Sequence, residues 1–140
     1  MRGPAPRPCE SCPYRTDVPS GIWAQEEYAK LVGYDAPTGE QPGGLFQCHQ
    51  LDGGSAASRV CAGWAGCHGR ELLAPRIALL SGKIDADTFT EIVDYQSPVP
   101  LFDSGTQAAL HGQTDIEKPD QDAQRLINKV TRARTDLRPT

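Results

Sequence analysis

The sequence predicts a mainly α-helical protein with an irregular, metal-binding N-terminal half: short helices plus a minimal β element, stapled by a metal. Three observations predict it. Five cysteines all fall in the first half, spaced Cys-x2-Cys-x35-Cys-x12-Cys-x5-Cys at positions 9, 12, 48, 61 and 67. Apolar residues make up only 38% of the 140, while Gly 14 and Pro 12 commit much of the chain to turns. That is a thin core, and thin cores usually need disulfides or a metal. Third, apolar residues in the second half recur at helical spacing. The expected division is a cysteine-rich metal-binding domain over residues 1–112 and a C-terminal amphipathic helix or tail over 113–140.

Residues 1–22 carry the Cys9-Glu10-Ser11-Cys12-Pro13 knuckle among prolines and glycines and should wrap irregularly around a metal. Residues 24–32 read as a short helix with Ser20 as its cap and Trp23, Tyr28 and Leu31 facing inward. Pro37, Gly39, Pro42 and Gly43 mark residues 33–44 as loop. Residues 45–49 form an extended lead into Cys48-His49, and residues 52–58 a flexible turn. Order returns at 60–64, where small residues beside Trp64 predict close backbone packing. Residues 71–80 have helical period but contain Pro75, so the helix either kinks there or begins there. Gly82 ends it. Asp85 or Asp87 caps a helix through Tyr95 whose apolar face is Phe89, Ile92 and Val93. Ser97-Pro98-Val99-Pro100 is a stiff connector. Ser104-Gly105-Thr106-Gln107 is a capping box opening a helix that ends at His111-Gly112. The last helix runs over 119–137, with Leu126, Ile127, Val130, Ala133 and Leu137 at helical spacing. Acidic residues precede it, and Arg125, Lys129, Arg132, Arg134 and Arg138 follow, an order that suits the helix dipole.

A net charge of −4 argues against a general polyanion binder, so a nucleic-acid partner is not supported by charge. The first ten residues contain no apolar signal core, and no stretch approaches about 18 consecutive apolar residues. The expected setting is therefore cytoplasmic, without a membrane. Thiols stay reduced there, and clustered cysteines serve metals more often than disulfides. The preferred ligands are Cys9, Cys12, Cys48 and Cys61, holding zinc or, alternatively, an iron–sulfur cluster. Cys67 is the spare fifth, and His49 or His68 would replace a cysteine in a mixed site. His111 is expected to sit at a helix end, favoured by its dipole.

Competing chemistries are poorly supported. Pro8-Cys9-Glu10-Ser11-Cys12 has the P-C-x-x-C half of a zinc nucleobase deaminase, but no His-x-Glu precedes it. A thioredoxin-type Cys-x-x-Cys would follow a strand and open a helix, and neither context is present. Gly53-Gly54 lacks the lysine of a phosphate loop. For metal-dependent hydrolysis the only general bases to name are Glu10, Glu71 and His111.

The strings Cys9-Glu-Ser-Cys-Pro-Tyr14-Arg15, Phe46-Gln-Cys-His49 and Cys61-Ala-Gly-Trp64 resemble an uncharacterised family of small cysteine-rich proteins found in actinobacteria and their phages. Pro98-Val-Pro-Leu-Phe102, Ser104-Gly105 and His111-Gly112 resemble its longer members, and Pro75 departs from a more regular leucine-rich helix there. The resemblance implies a phage or actinobacterial cytosolic setting with the shared cysteines as metal ligands, and brings no established activity. The expected function is a non-enzymatic module: a structural four-cysteine site presenting a surface to a protein partner or a nucleic-acid machine. The alternative is an iron–sulfur redox sensor or a metal-dependent enzyme.

Overall fold

The computed structural model describes residues 1–48 and 58–133. Among these residues the chain is mainly helical, with almost no strand. The helices are α1 (Gln25–Val32), α2 (Ala62–His68), α3 (Ala74–Leu80), α4 (Ala86–Val93), α5 (Gly105–Gln113) and α6 (Gln121–Ala133). Single 3-10 turns occur at Gly33–Asp35, Thr38–Glu40 and Gly69–Glu71. Among the described residues, extended pairing consists of isolated bridges: Arg2 with Arg59, Arg15 with Leu101, and Gln47 with Val60.

The first helix corrects one expectation. Ser20 does not cap it; its hydroxyl donates to Asp115 Oδ2 at 3.1 Å. The N-cap is Ala24, whose methyl group cannot accept a hydrogen bond. Glu26 and Glu27 in the first turn and Lys30 in the last still complement the dipole. Trp23, Tyr28 and Leu31 are buried as expected.

α2 was not anticipated. Its sequence AGWAGCH has two glycines in seven residues, which suppress a helical reading. The helix forms because tertiary packing overrides that preference: Ala62, Gly63, Trp64 and Ala65 are all buried. At Pro75 the second alternative holds. Pro75 lies in the first turn of α3, where its missing N–H costs nothing. The residues before it form the separate turn Gly69–Glu71.

Asp85, rather than Asp87, caps α4, accepting from Thr88 N at 2.8 Å. The helix ends at Val93, two residues short of Tyr95. The Tyr95 hydroxyl instead donates to Pro6 O at 3.1 Å, pinning the N-terminal arm. Ser104 caps α5 as the motif predicts, accepting from Gln107 N at 3.1 Å. Gln107 Oε1 reaches back one residue further than a standard capping box, to Asp103 N. The helix continues past Gly112 to Gln113.

α1 lies along α5 at very close range. A Cβ on Gly105 would strike Leu31 O, and one on Gly112 would enter the Tyr28 ring. Asp35 reinforces the start of α5: its carboxylate accepts from Gly105 N and Thr106 N, both at 2.7 Å, and from Thr106 Oγ1 at 2.6 Å. Asp35→Ala is expected to cost about 1–2 kcal/mol, the range for losing a helix cap. The readout is the urea midpoint, and a midpoint equal to wild type would show that water serves these donors equally well.

α6 is capped by Asp120, which accepts from Ala123 N at 2.7 Å. Ala123, Leu126 and Val130 are buried in the same hydrophobic cluster as Tyr14, Trp64 and Leu72. On its flank, Lys129 Nζ and Arg125 meet Glu10 Oε2 at 3.1 and 3.8 Å, so the helix reaches the cysteine knuckle. Leu137, Arg134 and Arg138 lie outside the described residues. Among the described residues, no helix is long and apolar enough to cross a membrane.

Candidate metal centre

Two backbone arrangements bring distant cysteines together. The Cys9–Cys12 segment turns on itself through Cys12 N to Cys9 O at 3.1 Å and Arg15 N to Cys12 O at 3.2 Å. Separately, Cys48 N donates to Arg59 O and Cys61 N to Phe46 O, both at 2.8 Å. These two bonds flank the antiparallel Gln47–Val60 bridge, set Cys48 opposite Arg59 and Cys61 opposite Phe46, and so leave Cys48 and Cys61 diagonal to each other on one face of the pair.

The two arrangements meet. Cys12 Sγ lies 4.0 Å from Cys61 Sγ, across 49 positions of sequence. Cys9 is within hydrogen-bonding reach of both Cys12 and Cys48. All four preferred cysteines line one cavity of about 30 Å3, together with Ala5, Arg7, Arg59, Val60 and Ala62. None of the five cysteines is in a disulfide. Gly63 makes the approach possible: a Cβ there would collide with Cys12 Sγ and come within 2.8 Å of Tyr14 Cβ.

Among the described residues, no three His, Cys, Asp or Glu side chains stand arranged to hold an ion in this conformation. The Cys12–Cys61 separation is nevertheless close to the roughly 3.8 Å between two sulfurs on a tetrahedral zinc with ~2.3 Å bonds. The cavity holds about one small ion or water and no organic substrate.

Cys9 and Cys12 resist ionisation. Cys9 is pushed up to about 11, first by its hydrogen bond with Cys12 and also by burial. Cys12 is raised well above the ordinary thiol range, first by its hydrogen bond with Cys61 and also by burial. Packed sulfurs resist ionisation because each thiolate would repel the next. A divalent cation among them would reverse that balance.

Two of the reserve ligands lie elsewhere. Cys67 and His68 do not line the cavity. Burial, then the charges of Asp35 and Asp103, push Cys67 up to about 12, which makes it an inert thiol. His49 lies outside the described residues. His111 does not simply end a helix. Its Nε2 is 2.6 Å from Val18 O, and its ring packs on Phe102 at 5.3 Å. Glu10 is held below the usual carboxylate range, first by its hydrogen bond with Lys129, which weakens it as a base.

Beneath the cysteines sits an aromatic box of Tyr14, Tyr34, Phe46 and Trp64, closed by His68. The Trp64 indole N–H is buried with no hydrogen-bond partner among the described residues. The Tyr14 hydroxyl and His68 Nε2 are 2.9 Å apart, and His68 Nδ1 faces Asp35 Oδ1 at 3.9 Å. With the ring proton on Nδ1, Nε2 accepts from Tyr14. Burial holds His68 below the ordinary imidazole value, although Asp35 and Glu71 pull the other way. The folded state thus prefers neutral His68, and the unfolded chain takes up its proton first as pH falls. Stability should therefore decline below about pH 6.5. The wild-type melting temperature should drop more steeply between pH 7.5 and 5 than that of His68→Gln, whose amide does not titrate. Parallel curves would remove His68 as a source of acid sensitivity.

Sequence reasoning missed Ser11, Arg7 and Arg59 as members of this region. Ser11 sits inside the knuckle, and its presence between two cysteines was the available signal. Arg7 and Arg59 gave none, because only the fold brings them to the cavity.

No curated protein and no solved structure matches the chain. The family of unknown function DUF6283 matches residues 4–134 and so takes in the knuckle, the four-cysteine cavity and α6. The chain belongs to that family.

Proposed function

We propose that this protein is a small metal-binding module in which Cys9, Cys12, Cys48 and Cys61 hold one structural ion, zinc in the first instance. The carrying observation is the convergence of four thiols, from segments far apart in sequence, on one ion-sized cavity. A metal there would tie the irregular N-terminal segment to α2 and compensate for a thin apolar interior. Four cysteines around so small a space suit a closed coordination sphere, which is the structural form, rather than one keeping a position for water. The work of the molecule then falls to its surface, as a regulatory module that binds a protein or a nucleic-acid machine.

Elemental analysis of untagged protein tests the metal. About one zinc per chain in colourless protein supports the reading. Brown protein carrying iron and sulfide would replace it with the iron–sulfur alternative, and metal-free protein of unchanged fold would end both. Cobalt substitution tests the closed sphere. A four-thiolate tetrahedral spectrum that azide does not alter is expected. An azide-sensitive spectrum would reveal an exchangeable position and favour a metal-dependent enzyme.

A further inference from the structure

Ser11 lies between the two knuckle cysteines and is 1% exposed. Its carbonyl accepts the Trp23 indole N–H at 2.9 Å, which fixes the peptide from the core side. Its hydroxyl stands 3.8 Å from Cys9 Sγ. A hydroxyl buried in a tight loop is costly unless its hydrogen bonds are met, and a thiolate is a strong acceptor with no proton of its own. The neighbouring sulfur faces a different partner, Cys12 Sγ lying 4.0 Å from Cys61 Sγ. Cys9 is the more exposed of the pair.

Resting on the metal reading above, we propose that Ser11 is a positioning residue of the centre, its hydroxyl donating to the Cys9 thiolate and aiming that sulfur at the ion. Such a bond restricts the Cys9 side chain to one orientation and spreads part of the negative charge that four thiolates bring together. Outer hydrogen bonds of this kind are typically worth 10–100-fold in metal affinity.

The test compares wild type, Ser11→Ala and Ser11→Thr as full-length proteins, titrated with cobalt against a chromophoric chelator. Ser11→Ala should bind cobalt about 10–100-fold more weakly. Its thiolate-to-cobalt absorption band should also move to lower energy, because a sulfur without its proton donor gives up charge more readily. Ser11→Thr, which keeps the hydroxyl, should recover both quantities toward wild type. A purely packing role would leave the band in place, so weak binding with an unmoved band overturns the proposal. So does Ser11→Ala binding with wild-type affinity and spectrum. If wild type takes up no cobalt, the metal centre itself falls, and the role of Ser11 falls with it.

Discussion

Replacing Gly63 with alanine is expected to destabilise the protein by about 3 kcal/mol, at the upper end of the usual cost of overpacking. That corresponds to a fall of roughly 10 °C in melting temperature for a domain of this size. The added methyl would meet Cys12 Sγ and approach Tyr14 Cβ to 2.8 Å. Neither neighbour can swing aside. Tyr14 is fully enclosed, and Cys12 is 1% exposed. The change therefore pushes α2 away from the knuckle and separates Cys12 from Cys61. Gly39→Ala is the control, since nothing lies within 4 Å of the position its Cβ would take. It should be neutral or stabilising by ~0.4–1 kcal/mol through the unfolded chain. If Gly63→Ala melts with Gly39→Ala, the tight contact between α2 and the knuckle does not exist.

The second large effect is expected on stripping metal. A structural zinc contributes apparent binding energies of ~10–16 kcal/mol in small domains, so chelation should lower the melting temperature by roughly 20 °C or abolish the cooperative transition. Adding zinc back should restore it. Cys12→Ala should melt low from the start and ignore both chelator and zinc, because its remaining sulfurs cannot close the sphere. Low pH should mimic the chelator: Cys9 and Cys12 hold protons strongly in the absence of a cation, so protons compete with metal for the same atoms. A circular dichroism spectrum and melting curve indifferent to chelator would remove the metal from the account.

Helices with a good cap or a regular apolar stripe were legible in the sequence. Ser104 and Asp85 signal their helices through local hydrogen bonds, which depend on neighbouring residues alone. α6 announces itself by periodicity, and its Leu126 and Val130 are buried as the stripe requires. Ser20 misled because a serine three residues from Trp23 reads like a cap, whereas Asp115, 95 positions away, claims its hydroxyl. α2 was hidden because its residues are chosen for contact rather than propensity: Gly63 is there to clear Cys12. The grouping of Cys9, Cys12, Cys48 and Cys61 around one cavity follows the preferred set. The setting of His68 between Tyr14 and Asp35 could not be read, since each partner comes from a different segment and leaves no pattern.

The Glu10–Lys129 contact joins residues 119 positions apart, and that separation has a consequence for how the chain is made. During synthesis, all five cysteines leave the ribosome before α6 exists. About seventy residues separate Cys61 from the end of α6, so at ~5–20 residues per second the thiols wait roughly 4–14 s for the helix whose Lys129 meets Glu10 of the knuckle. Their first exposure to solvent therefore takes place on a half-built chain, before the cluster that buries Cys12 and Cys61 has its last members, Ala123, Leu126 and Val130.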